Sequence, residues 1–146
     1  MSKNIPQTEQ TYKKSKPIDH LSTANAISLM IKEHRRASLD VFKAAKSIEI
    51  ATDKIYQHLN LNPKGRLIYV GAGTSGRIGV QDGVELLPTF SWPKSRLDYI
   101  IAGGDAAVLN SIENAEDDDL EAIKIVLKKS INSQDVVIGL AASGNT

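Results

Sequence analysis

Three short apolar runs constrain this chain more than anything else in it: "RLIYV" at residues 66–70, "RLDYII" at 96–101 and "DVVIGL" at 135–140. The first is continuous rather than alternating, as a strand buried on both faces of a parallel sheet should be. Each runs into a loop of glycine and other small residues, "GAGTSG", "AGG" and "AASGNT". Between the runs lie segments long enough to hold a crossover helix. Strand, helix, strand, helix, strand predicts an α/β fold, a parallel sheet with flanking helices. Ligands of such sheets bind at the carboxyl ends of the strands, so the loops at Gly71, Gly103 and Ala142 are expected on one rim.

Upstream the texture is helical. Ser22 or Thr23 is the expected N-cap of a first helix, with Ile27, Met30 and Ile31 on one stripe. A second helix is expected from about Ser38 to Leu59, burying Phe42, Ala45, Ile48, Ala51 (or Thr52), Ile55 and Leu59, and stopped by Pro63 and Gly65. The organisation is then an N-terminal arm at 1–20, a helical segment at 21–62 and the α/β domain at 63–146. Within that domain "NAEDDDLEAIKIVLKKS" (114–130) reads as a helix with acids in its first turn and Leu120, Ile123 and Leu127 facing inward. Thr146 falls in a loop directly after a strand, so the domain reads as truncated, the first half of a larger sheet.

Composition narrows the partners. Hydrophobic residues make up 41% and charged residues 24%, the balance of a folded soluble domain. A net charge of +1 gives no electrostatic case for nucleic acid or an anionic membrane. With no cysteine and three scattered histidines, neither a disulfide nor a metal site is expected. His34 and His58 read as surface or partly buried residues, and Phe90 and Trp92 as packing a loop or an interface, none of them as ligands. The first residues have no apolar core and no run is long enough to cross a bilayer, so the expected location is the cytoplasm.

The first glycine loop admits two readings. Gly71, Gly73 and Gly76 fit a dinucleotide fingerprint, but that site needs an acid about 20 residues on, closing the second strand. Asp98 opens that strand and Asp105 comes late. The other reading is a clamp for one phosphate. Thr74 and Ser75 sit where backbone N–H groups gather at a helix start, and Ser143 and Thr146 flank Gly144 at a neighbouring strand end. Two hydroxyl-rich loops closing on one phosphate use more of the residues, although each serine alone also suits an N-cap.

The blocks "GRLIYVGAGTSGRIGVQDGVELLPTF", "IIAGGDAAVLNSIENAEDD" and "DVVIGLAASGNT" together resemble the N-acetylmuramic acid 6-phosphate etherases, in their N-terminal half. The resemblance runs from Ile18 to Thr146. It implies a sugar isomerase (SIS) fold of flavodoxin-like type and a carbon–oxygen lyase, usually dimeric. Such enzymes release D-lactate from the sugar and leave N-acetylglucosamine 6-phosphate, in cytoplasmic cell-wall recycling and without cofactor. It also implies an acid–base pair at Glu85 and Glu116, and phosphate contacts from Gly73, Thr74, Ser75, Ser143, Gly144 and Thr146. Leu86 and Leu87 stand where the family carries Cys-Pro, and Asn145 where it carries arginine.

The chemistry needs one carboxyl protonated and one ionised. Apolar neighbours Val84, Leu86 and Leu87 suit Glu85 to the acid. A place near a helix start suits Glu116 to the base. Nine residues of unbroken helix would carry Glu85 about 13 Å from Gly76. Either Gly79 and Gly83 bend the segment back, or Glu85 serves a site completed by a second subunit. A regulatory phosphosugar-binding module, like the glucokinase regulatory proteins that share these motifs, is the alternative to an enzyme. Two further rivals are a dinucleotide-binding protein and a remnant that folds by pairing its open sheet with another copy.

Overall fold

The computed structural model describes residues 16–142. It divides into a helical unit ending at Lys54 and an α/β unit beginning at Ile55.

In the helical unit Ser22 caps α1 (Thr23–Lys43), its Oγ accepting from the Asn25 N–H at 3.4 Å. Helix α2 (Ala45–Leu61) begins after a single turn residue, Ala44. The expected boundary at Ser38 is therefore wrong. No glycine or proline interrupts residues 22–61, so the helical path continues through Ser38 and loosens only at Ala44. The Ile48 N–H still bonds to the Ala44 carbonyl at 3.0 Å. The expected apolar face is exposed along the helical unit: Phe42 is 77% accessible and Ile48 49%. Only at the far end of α2, where Leu59 enters the core, does it become buried. Helix α2 ends at Leu61, ahead of Pro63, as the breakers predict.

The α/β unit holds β1 (Leu67–Gly71), α3 (Gly73–Val84), α4 (Leu86–Phe90), β2 (Leu97–Ile101), α5 (Asp119–Lys128) and β3 (Val136–Leu140). The strands are parallel in the order β2-β1-β3, with Tyr69 level with Tyr99 and Ile138. This is the expected α/β fold, a parallel sheet with flanking helices. Alternate residues face opposite sides. Leu67 and Tyr69 join Leu59 in one core, backed by Leu86, Trp92, Tyr99 and Leu140. Ile68 points the other way and is fully buried. Strand β3 alternates instead of burying both faces, and Val137 is half exposed.

Helix α5 departs from expectation. It begins at Asp119, not near Asn114, because Asn114 is left-handed (φ 59°) and Asp118 caps the helix, accepting from the Glu121 N–H at 2.9 Å. Residues with short polar side chains thus hold 114–118 in turns. Leu120, Ile123 and Leu127 face outward, with Leu120 72% exposed, while Ile125 turns toward the sheet.

Candidate functional site

Strand β1 ends at Gly71, and Ala72 links it to α3 with no side-chain cap. The junction is very tight. A Cβ on Gly71 would lie 2.9 Å from the Gly76 nitrogen, and one on Gly76 would lie 2.8 Å from the Gly71 carbonyl oxygen. Only glycine at both positions lets the helix start this close to the strand end. Gly73, Thr74 and Ser75 form the first turn of α3, whose N–H groups have no intrahelical acceptors. Thr74 is exposed and Ser75 half buried. Ser75 lies inside the helix, so its hydroxyl is not the N-cap that would explain it away.

The second strand end turns through Gly103 (φ 86°) and Gly104 (φ 72°). A Cβ on Gly103 would meet Ile112 Cβ at 2.9 Å, so this turn too is built for glycine. Beyond it lies a cavity of about 450 Å³, floored by Val70, Ile100 and Gly103 and walled by residues 112–125. Glu116 lines this cavity. It lies two residues before the cap of α5, in a turn, rather than in the helix's first turn as expected. The third loop is reached at Ala142; Ser143, Gly144 and Thr146 lie outside the described residues.

Glu85 is elsewhere. Helix α3 is unbroken over 12 residues, roughly 18 Å. Glu85 follows it as C-cap and is exposed, not enclosed by its apolar neighbours. The next residue, Leu86, packs on Leu59, Leu67 and Tyr69, at the other end of β1 from Gly71. Gly79 and Gly83 do not bend the segment back. They admit the sheet's side chains instead: added Cβ atoms would lie 3.1 Å from Leu140 Cδ1 and 2.6 Å from Tyr99 Cε1. One chain therefore brings Glu116 to the cavity and leaves Glu85 outside its lining.

Two features escaped the sequence reading. The Tyr69 hydroxyl donates to Asp82 Oδ2 at 2.6 Å, pinning the last turns of α3 to the middle of β1. Burial, and then that bond, push the phenol's pKa above its ordinary value. Arg77, the cation after the glycine loop, donates through Nε to the Ala107 carbonyl at 3.0 Å and through Nη2 to that of Asn110 at 2.7 Å. It props the loop that leads to Glu116. The arginine closing "GTSGR" was the available signal, but sequence alone does not say what it reaches.

A family profile described as the glucokinase regulatory protein N-terminal SIS domain matches residues 48–146. Among curated proteins, the N-acetylmuramic acid 6-phosphate etherase of Geobacillus sp. (strain WCH70) is 40% identical over 139 residues, covering 95% of this chain and 46% of that protein. The one from Oenococcus oeni is 40% identical over 139 residues with the same shares. That from Psychromonas ingrahamii reaches 43% over 140 residues, again 95% and 46%. The chain thus spans about half the length of the curated relatives it matches. Glycine turns at parallel strand ends and the matches agree: the chain belongs to the family of the glucokinase regulatory protein N-terminal SIS domain, and over its matched length it is a homologue of the N-acetylmuramic acid 6-phosphate etherases.

Proposed function

We propose that this chain binds a sugar phosphate at the rim formed by Gly71 and Gly103, as part of a lyase that opens the D-lactyl ether of N-acetylmuramic acid 6-phosphate. The observation that carries the reading is the pinch between Gly71 and Gly76. It supports a row of N–H donors and the Thr74 and Ser75 hydroxyls at a strand end, beside a cavity that Glu116 lines. Donors so placed suit a terminal phosphate. Ser143, Gly144 and Thr146 would close on it from the third loop.

The chemistry asks for two carboxyl groups. Ring opening exposes an aldehyde that acidifies the C–H next to it. Glu116 takes that proton, the C–O bond to lactate breaks, and Glu85 gives its proton to the departing oxygen. Water then adds across the new double bond by the same transfers in reverse, giving N-acetylglucosamine 6-phosphate. Because Glu85 and Glu116 stand apart in one chain, the pair is assembled between two copies, with Glu85 of one completing the rim of the other. Cell-wall recycling in the cytoplasm is the setting this reaction fits.

The test is lactate release from N-acetylmuramic acid 6-phosphate by the purified chain, together with calorimetric binding of N-acetylglucosamine 6-phosphate. Release abolished by Glu116→Gln with binding retained supports the lyase. Binding without release supports a second reading, a phosphosugar-binding module without turnover. That reading is favoured by the regulatory-protein profile and by the distance of Glu85 from the cavity. Neither release nor binding removes both.

A further inference from the structure

We propose that α1 and α2, which follow one another across the single turn residue Ala44, together form a self-association surface, pairing antiparallel with the same two helices of a second copy about an axis near Phe42 and Ala44. Positions 27, 31, 34, 38, 41, 45, 48 and 52 recur at alternating steps of four and three. That 3.5-residue period is the seam of a left-handed helix pair rather than the broader face that packs on a sheet. The seam is uncovered: Ile31 is 63% exposed, Val41 60% and Ile48 49%. A shallow groove runs along it, lined by Ser38, Val41, Phe42, Ala45, Ile48 and Thr52.

The flanks of the seam choose the orientation. One flank carries Arg35, Phe42 and Glu49, and the other Ala37, Ala44 and Ala51, each seven residues apart. In an antiparallel pair each flank meets itself. Arg35 then faces Glu49 of the second copy, twice by symmetry, and Phe42 faces Phe42. On the other side Ala37 faces Ala51 and Ala44 faces Ala44, small residues that let the backbones come close. The seam agrees in register: Val41 meets Ala45, and Ser38 meets Ile48. A parallel pair would instead set Glu49 against Ala44 and Arg35 against Met30, with no charge matched. Glu49 is already met on its own helix by Lys46 at 2.9 Å, but the carboxylate side chain is 58% exposed, and so open a pair yields easily to a new partner.

The cross-links below read this surface and not turnover, so their failure in a chain that still associates overturns this proposal and leaves the lyase reading standing. The full chain has no cysteine, which makes single cysteines decisive reporters. Under mild oxidation Phe42→Cys and Ala44→Cys chains should each cross-link to their own kind. Arg35→Cys alone should not, whereas mixing it with Glu49→Cys should give a mixed disulfide. In sedimentation, Val41→Glu with Ile48→Glu should abolish this association while the circular dichroism stays helical. Glu49→Arg should weaken it about tenfold, and adding Arg35→Glu to the same chain should restore it. A chain that stays monomeric, a Phe42→Cys chain that fails to cross-link, self-linking by Arg35→Cys, or no rescue by the charge swap would each overturn the proposal.

Discussion

Arg66 and Asp135 are locked together across the starts of β1 and β3, Nη2 lying 2.8 Å from Oδ2 and Nε 3.1 Å from Oδ1. The Asp135 side chain is 2% exposed and also accepts from the Arg66 N–H at 2.8 Å and the Asn132 N–H at 3.1 Å. Arg66 spends its remaining donors on Asp98 and the Lys129 carbonyl. Losing Asp135 leaves the largely buried Arg66 charge with only the longer Asp98 contact, at 3.4 Å. Asp135→Asn should therefore lower stability by about 3 kcal/mol in urea unfolding at neutral pH. Asp98→Asn should cost less, since its carboxylate is 24% exposed.

The same pair sets an acid limit. The Arg66 hydrogen bond holds the Asp135 carboxyl at about 2, down from 3.8. A depressed folded value means that the stabilisation is complete above pH 4 and drains away as pH falls toward 2, by roughly 2 kcal/mol. Urea midpoints across that window should fall with acid, and Asp135→Asn should flatten this part of the curve. An equal slope in the variant would assign the acid sensitivity to other carboxyls.

Two glycines of α3 should differ in tolerance. At Gly76 a new Cβ meets main chain, the Gly71 carbonyl at 2.8 Å, which cannot give without moving the strand end. At Gly83 it meets the ring of Tyr99, which can. Gly76→Ala should cost about 3 kcal/mol or prevent folding, and Gly83→Ala about 1–2 kcal/mol. Pairing Gly83→Ala with Tyr99→Leu should recover part of the second loss and none of the first, as thermal melts would report.

Removing the Tyr69 hydroxyl should loosen the end of α3. Tyr69→Phe leaves Asp82 without its donor and should cost about 1 kcal/mol. Because burial raises the Tyr69 phenol, its stabilising share is present below pH 10 and lost as pH climbs beyond it. Spectrophotometric titration of the folded chain should show Tyr69 ionising above the ordinary phenol range, and that late step should shrink in Tyr69→Phe.

If Glu85 and Glu116 act from different copies, two dead chains can make a live site. Glu85→Gln and Glu116→Gln should each lose lactate release, and an equal mixture should regain about a quarter of the unaltered rate, through one intact site in half of the dimers. No recovery after subunit exchange would place both carboxyls in one copy's site or remove one from the chemistry.

The strands were legible because burial on both faces writes itself as an unbroken apolar run, and "RLIYV" carries Ile68, the fully buried side chain of the sheet. The rim was legible because a strand end and helix so close that a Cβ on Gly71 would lie 2.9 Å from the Gly76 nitrogen tolerate glycine alone. Helix α5 was misread, since Leu120, Ile123 and Leu127 and the true inward residue Ile125 are equally apolar; the side that faces the sheet depends on where the turns at Asn114 and Asp118 release the chain. The α1–α2 boundary was misread because periodicity continues through a one-residue loosening at Ala44. Arg77, Arg66 and Asp82 were invisible as site or frame residues, because their side-chain partners lie from 13 to 69 residues away in sequence.

Arg96 adds a second fastening beside Arg66, donating to the carbonyls of Gly65, Leu59 and Asn62. Both arginines sit where strands begin, while the turns where β1 and β2 end carry glycines at positive φ, Gly73, Gly103 and Gly104. The domain is thus graded in stiffness, riveted along one border and compliant along the other. Amide exchange should slow progressively from Gly104 toward Arg66, and a ligand seated on the compliant border would reshape loops while the strands keep their alignment.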